Sequence, residues 1–182
     1  MIIYQKLTDK ELDRFIQMRI RQLREEGAAE DIDLVPALQD YYNRHMADGT
    51  FVSWLAMDRD KIVGTSGMSF VEKPPYFGCP SGKIGLLSSI FTDPEYRRRG
   101  IAKELLSRVV DEARAYGCGT VQITASDMGV LLYTDTLAVV LYSNRLCPDN
   151  QDCILFLQSN SSHASLRREQ SWNLSQASVH QT

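Results

Sequence analysis

"TDPEYRRRGIA", residues 92–102, lies between an apolar run, "IGLLSSIFT" (84–92), and an amphipathic one. The apolar run predicts a buried strand, and the spacing after Gly100 predicts a helix. Ile101, Leu105, Leu106, Val109, Val110 and Ala113 share one face, while Lys103, Glu104, Arg108, Asp111 and Glu112 lie largely on the other. Glu104 and Arg108 stand at the favourable i,i+4 spacing, and Gly117 can end the helix. A strand that turns into a helix through three arginines and a glycine has two readings. One is a charged surface turn with a glycine hinge. The other is a cradle for phosphate. A helix N-terminus leaves N–H groups without intrahelical partners, its dipole favours negative charge, and amides in a tight turn form a nest for oxyanions. Gly100 removes the Cβ that would hold a ligand away, Ala102 keeps the first turn slim, and Arg97, Arg98 and Arg99 add cationic reach.

Outward from this turn the pattern alternates between strand and helix. "IIYQKL" (2–7) predicts a first strand. Thr8 and Glu11 then form a capping-box pattern ahead of a helix with Leu12, Phe15, Ile16, Ile20 and Leu23 on one face and Gly27 as its stop. Pro36 can open a second helix. "TFVSWLAMD" (50–58) and "KIVGTSGMSFVEK" (61–73) predict a hairpin, with Trp54 alternating with Val52 and Ala56 as a structural residue. "KPPYFGCPSGK" (73–83) is a loop, "TVQITAS" (120–126) a further strand, and "DMGVLLYTD" (127–135) a short helix or turn leaving it. No internal repeat is present.

Bulk properties narrow the function classes. A chain of 182 residues suits one domain, and 43% apolar with 24% charged residues is ordinary for a globular protein. The net charge of −3 gives no general reason to expect nucleic acid or an acidic membrane as partner. No apolar run approaches the roughly 20 residues that span a bilayer. The N-terminal stretch lacks the basic region of a secretory signal. Cys79, Cys118, Cys147 and Cys153 show no CxxC spacing, so no metal site is expected and reduced thiols in a cytoplasm fit best. The turn lacks the Gly-Lys-Ser/Thr ending of a triphosphate loop and lacks GxGxxG.

It does match Arg/Gln-x-x-Gly-x-Gly/Ala through Arg97, Gly100 and Ala102, preceded by a strand and "TDP" and followed by helix, strand and "DMGVLLY". In this order of parts the sequence resembles the GNAT superfamily of acetyl-CoA-dependent N-acetyltransferases. The resemblance implies an α/β (α+β) fold, a mixed and mostly antiparallel sheet with splayed central strands flanked by helices. "LSSIFT" (87–92) and "TVQITAS" would be the splayed pair. Backbone groups of Ile90, Phe91 and Thr92 would then meet pantetheine, and Arg97, Arg98, Arg99, Gly100, Ile101 and Ala102 would meet the pyrophosphate. The implied reaction is direct attack of an amine of a small molecule or peptide on the thioester of acetyl-CoA, with Tyr133 protonating the leaving thiolate. A phenol with a pKa near ~10 is protonated at neutral pH, ready to donate. Ser88 and Ser89 are poor bases and Glu72 is a weak candidate, so the base is unassigned. Tyr41 and Tyr42 fall where relatives form the acceptor pocket. Homodimers are frequent among relatives.

Beyond about residue 135 the pattern breaks. The family's apolar-Gly pair after the tyrosine is absent, and 159–182 is polar, as expected of a tail following a domain over 1–158. "VVLYSN" and "CILFLQ" are apolar enough to serve as substitute strands. Thr136, Leu137 and Ala138 are encodable by codons whose shifted reading restores an apolar-Gly pair, so a frameshift near Asp135 is one explanation and a divergent terminus the other. Either leaves an alternative function, a catalytically impaired or non-catalytic acyl-CoA-binding or regulatory module.

Overall fold

Strand by strand, apolar side chains point to both faces of the sheet, so both faces need a cover. In "FVSWLAMD", Phe51, Leu55 and Met57 pack to one side, and Val52, Trp54 and Ala56 to the other. The computed structural model describes residues 1–125 and 156–159. Their order is β1 (Ile2–Lys6), α1 (Leu12–Glu25), α2 (Val35–Ala47), β2 (Phe51–Asp58), β3 (Lys61–Glu72), β4 (Lys83–Thr92), a single 3-10 turn (Pro94–Tyr96), α3 (Ile101–Tyr116), β5 (Thr120–Ala125) and β6 (Phe156–Ser159). Spatial order follows chain order. β1 to β4 pair antiparallel, whereas β4–β5 and β5–β6 pair parallel. This is the mixed sheet expected from the sequence. β6 falls at the end of "CILFLQ", one of the two runs read as substitute strands.

The helices divide between the faces. Phe15 and Ile16 of α1 and Tyr42 of α2 pack with Phe51, Leu55 and Ile62, and the Phe15 and Tyr42 rings meet edge to face at 5.0 Å. On the opposite face Leu105, Leu106, Val109, Val110 and Ala113 of α3 are fully buried against β2, β3 and β4. Each large apolar side chain buried this way stabilises the fold by about 1.5–3 kcal/mol. Gly117 ends α3 at φ 84°, in the left-handed region expected of a helix stop.

One local expectation is corrected. Thr8 does not cap α1; its hydroxyl donates to the Glu11 carboxylate, and the helix begins after Glu11 without a side-chain cap. The Glu11 N–H, which the Thr8 hydroxyl would accept from as a cap, donates instead to the Thr8 carbonyl at 3.1 Å. In α2, His45 is half-buried. Its Nδ1 meets Thr50 Oγ1 at 2.6 Å and its ring packs on Tyr41.

Candidate functional site

The site grows from a mismatch between two neighbouring strands. β4 and β5 pair from Ile84↔Thr120 to Leu87↔Ile123 and no further, although β4 runs on to Thr92 and β5 to Ala125. At the parting point β4 carries a bulge. Gly67 opposes Ser88 and Thr65 opposes Phe91, so Ser66 alone faces both Ser89 and Ile90. Ser89 takes φ 54°, a left-handed conformation uncommon for a residue with a Cβ. The extra residue bends β4, and beyond Leu87 the strand has no partner on its β5 side among the described residues.

Polar groups of that edge are partly occupied. Asp93 N–H donates to Val63 O, which puts the N–H and C=O of Thr92 on the side away from β3. Thr92 O accepts from Arg97 Nε at 3.0 Å, and Ile90 O accepts from Gln22 Nε2 of α1 at 3.3 Å. Thr92 Oγ1 is buried and has no hydrogen-bond partner among the described residues.

The turn that follows is held from below. Asp93, 2% exposed, accepts from the Glu95 N–H and pairs with Lys61 at 3.0 Å and Arg21 at 3.2 Å. Burial alone would raise its carboxyl, but the Lys61 ammonium, the Glu95 amide and the Arg21 guanidinium outweigh that and hold its pKa below the ordinary 3.8. Tyr96 donates to Asp58 at 2.8 Å, tying the turn to the β2–β3 hairpin. Above this base the backbone opens. Arg98 and Gly100 have φ 64° and 78°, no side chain among the described residues caps α3, and Glu104 N–H is the first of them to close a bond, onto Gly100 O. The amides of Arg98 to Lys103 therefore close no hydrogen bond among the described residues. A Cβ placed on Gly100 meets nothing within 4 Å. The result is an open concavity of N–H groups at the positive end of a 16-residue helix.

The three arginines divide their tasks. Arg97 turns inward, to Thr92 O and to Glu25 of α1 at 2.7 Å, and stacks near the Phe91 ring. Arg99 donates to Glu95 O and lies over Tyr96. Arg98 is exposed and makes no hydrogen bond or ion pair among the described residues, so its guanidinium is the one free to reach a ligand. The concavity, its charge and the orphaned Thr92 hydroxyl fit a diphosphate followed by an extended chain along the β4 edge.

Ile90, Phe91, Thr92, Arg97, Arg98, Arg99, Gly100, Ile101 and Ala102 thus come together along one edge and its turn. Tyr133 lies outside the described residues. Trp54 packs against α3, donating to Glu112 at 3.1 Å under the Arg108 guanidinium, as a structural residue would. Glu72 pairs in register with Lys83, seven residues before Ile90 and therefore roughly 23 Å from it along the strand. Sequence reading missed Gln22, Glu25, Arg21 and Thr65, which support the edge from α1 and β3. Polar residues on a helix otherwise reading as amphipathic carry no signal of partners 68 or 72 positions away. Among the described residues no group of three or more His, Cys, Asp or Glu could hold a metal ion, and no helix is long and apolar enough to cross a membrane.

Comparison with known proteins agrees with this geometry. The family model described as Acetyltransferase (GNAT) family matches residues 12–130. A predicted acetyltransferase from Clostridium acetobutylicum, whose crystal structure was determined with acetyl-CoA, superposes with a TM-score of 0.72 at 30% identity, covering 74% of this chain and 88% of that one. A GCN5-related N-acetyltransferase from Ralstonia eutropha shares the fold at a TM-score of 0.66 and 23% identity, covering 74% and 90%. Human N-acetyltransferase 8 is 30% identical over 102 residues, 52% of this chain, and the match spans 43% of that relative's length. With the parted strands, the bulge and the open helix N-terminus all lying inside the matched segment, the chain belongs to the GNAT acetyltransferase family.

Proposed function

We propose that the protein transfers an acetyl group from acetyl-CoA directly to a primary amine of a small molecule or peptide. The observation that carries this reading is the run of amides from Arg98 to Lys103 that close no hydrogen bond among the described residues, following a strand whose pairing with β5 stops at Leu87. The related Clostridium acetobutylicum acetyltransferase, solved with acetyl-CoA, supports that cosubstrate here. The amides and Arg98 would grip the diphosphate, and the Thr92 and Ile90 edge would guide the pantetheine arm. Bound acetyl-CoA supplies the activated thioester. This chain's part is to place the thioester carbonyl by remote binding and to accept its developing negative charge on a backbone N–H of the bulge. Tyr133 is assigned the proton for the departing thiolate, a contribution typically worth about 10²–10⁴-fold.

Isothermal titration with CoA, followed by thiol release from acetyl-CoA with a panel of amines, tests the reading. We expect saturable CoA uptake and amine-dependent thiol release. Tyr133→Phe should lower turnover with CoA affinity nearly intact. Folded protein that takes up no CoA would overturn the assignment, whereas uptake without amine-dependent release would favour a binding module.

A further inference from the structure

The bulge raises a question of aim. A backbone N–H stabilises charge only if it points where the charge develops, and a bulged strand gives its peptides rotational freedom that a regular ladder denies. One peptide unit here, between Ser89 and Ile90, is fixed from an unexpected direction. Thr65 of β3 is 1% exposed, and its Oγ1 donates to Ser89 O at 2.8 Å inside the protein. The bond replaces the ladder contact that the bulge has broken at this place. No cis peptide occurs among the described residues, and in a trans unit the carbonyl and the N–H point in opposite directions. Holding Ser89 O against β3 therefore turns Ile90 N–H away from β3, toward the edge that β5 leaves after Leu87. The carbonyl of Ile90 lies on that edge too, where Gln22 Nε2 holds it. Gln22 is itself 6% exposed and oriented by Arg19, which donates to its Oε1 at 3.0 Å.

We infer that Thr65 is a positioning residue: its hydroxyl, by fixing Ser89 O, aims Ile90 N–H at the acyl carbonyl of a bound thioester. This deepens the acetyl-transfer reading and rests on it. Valine is close to threonine in shape and lacks the hydroxyl, so Thr65→Val removes the aim and keeps the packing. Thr65→Ser keeps the hydroxyl and loses a methyl. Ser66 cannot substitute, because its Oγ is turned to Trp54 O.

The test reads the carbonyl itself. Isotope-edited infrared spectra of acetyl-CoA labelled with carbon-13 at the carbonyl are recorded free and bound, without any amine. The wild-type protein should shift the band to lower frequency, Thr65→Ser should keep that shift, and Thr65→Val should lose most of it while binding CoA as tightly. In amine transfer, Thr65→Val should lower kcat by about 10-fold or more, short of the roughly 10²–10³ that follows complete removal of such a donor. A full shift in Thr65→Val overturns the inference, as does a wild-type protein that binds acetyl-CoA with no shift at all. Failure of the wild-type protein to bind acetyl-CoA is a different result and falls on the acetyl-transfer reading. If Thr65→Val does not fold, the wild-type protein still decides. The Ile90 amide proton should move downfield in NMR spectra on adding acetyl-CoA and stay put with CoA, and an equal response to both overturns the inference.

Discussion

Gly100 and Asp93 show how single residues set the turn's two faces. Gly100 is required by conformation rather than space, since φ is 78° and a Cβ there meets nothing within 4 Å. Gly100→Ala should therefore cost only about 1 kcal/mol of stability. Its larger effect should be on CoA, because relaxing φ turns neighbouring amides off the diphosphate. Losing one hydrogen bond to a charged group is worth about 1.5–3 kcal/mol, so titration should show affinity down by about 10-fold to 150-fold. Equal affinity in the variant would mean the amides do not bind the ligand. Asp93 makes the opposite case, a buried carboxylate under the turn. Its pKa is held below 3.8, so the stability it contributes is present above that value and disappears as pH falls through the lowered folded-state pKa. Both cationic partners are about half exposed, 43% and 53%, so Asp93→Asn should cost about 1–3 kcal/mol at neutral pH rather than the larger figure for a fully buried pair. Urea unfolding at pH 7 and pH 3 measures it. The difference between wild type and variant should shrink at the lower pH, and a constant difference would contradict the linkage.

At the scale of elements, the seat of α3 on β3 couples the core to the turn. A Cβ on Gly64 would lie 2.9 Å from Ile101 Cγ2 and 3.1 Å from Leu105 Cδ1. Ile101 is the first residue of α3, so pushing it moves the amides that precede it. Gly64→Ala should destabilise by about 1–3 kcal/mol through overpacking and weaken CoA binding as well. Adding Ile101→Val should recover part of both, a coupling that thermal unfolding and titration of the double variant would reveal. If binding is unchanged while stability falls, α3 and the turn move independently. The elements themselves were legible in the sequence because each rests on a local rule. The six apolar positions of α3 recur at helical spacing, Pro36 sits in the first turn of α2, and the "DRDK" hairpin joins strands with alternating faces. Thr8 failed as a cap because the Glu11 N–H closes onto the Thr8 carbonyl, a choice of acceptor that spacing alone does not decide.

For the whole molecule, the site is a product of layers that sequence proximity does not link. Gly100 and its neighbours were readable because the cradle is local, a short continuous stretch punctuated by glycine. Gln22, Glu25 and Thr65 were not, because each acts directly on the strand or its turn at a position 24 to 72 residues away. The bulge at Ser89 likewise left no mark, since a serine in the left-handed region is stabilised by tertiary bonds and not by its own preference. This division predicts how the whole fold should respond to ligand. α1 reaches the turn through Glu25–Arg97 and the strand through Gln22–Ile90, while α3 carries the amides, so both faces of the sheet are tied to the site. Ligand binding should then stabilise one cooperative unit. At CoA concentrations of about 100 times Kd the linkage is worth about 2.7 kcal/mol, which for a chain of this size raises Tm by about 5–10 °C. Pantetheine, which lacks the diphosphate, should give almost no rise at the same concentration, and acetyl-CoA should match CoA. Differential scanning calorimetry separates the cases. A rise with pantetheine equal to that with CoA would place the anchor on the strand edge and leave the arginine-glycine turn without its role.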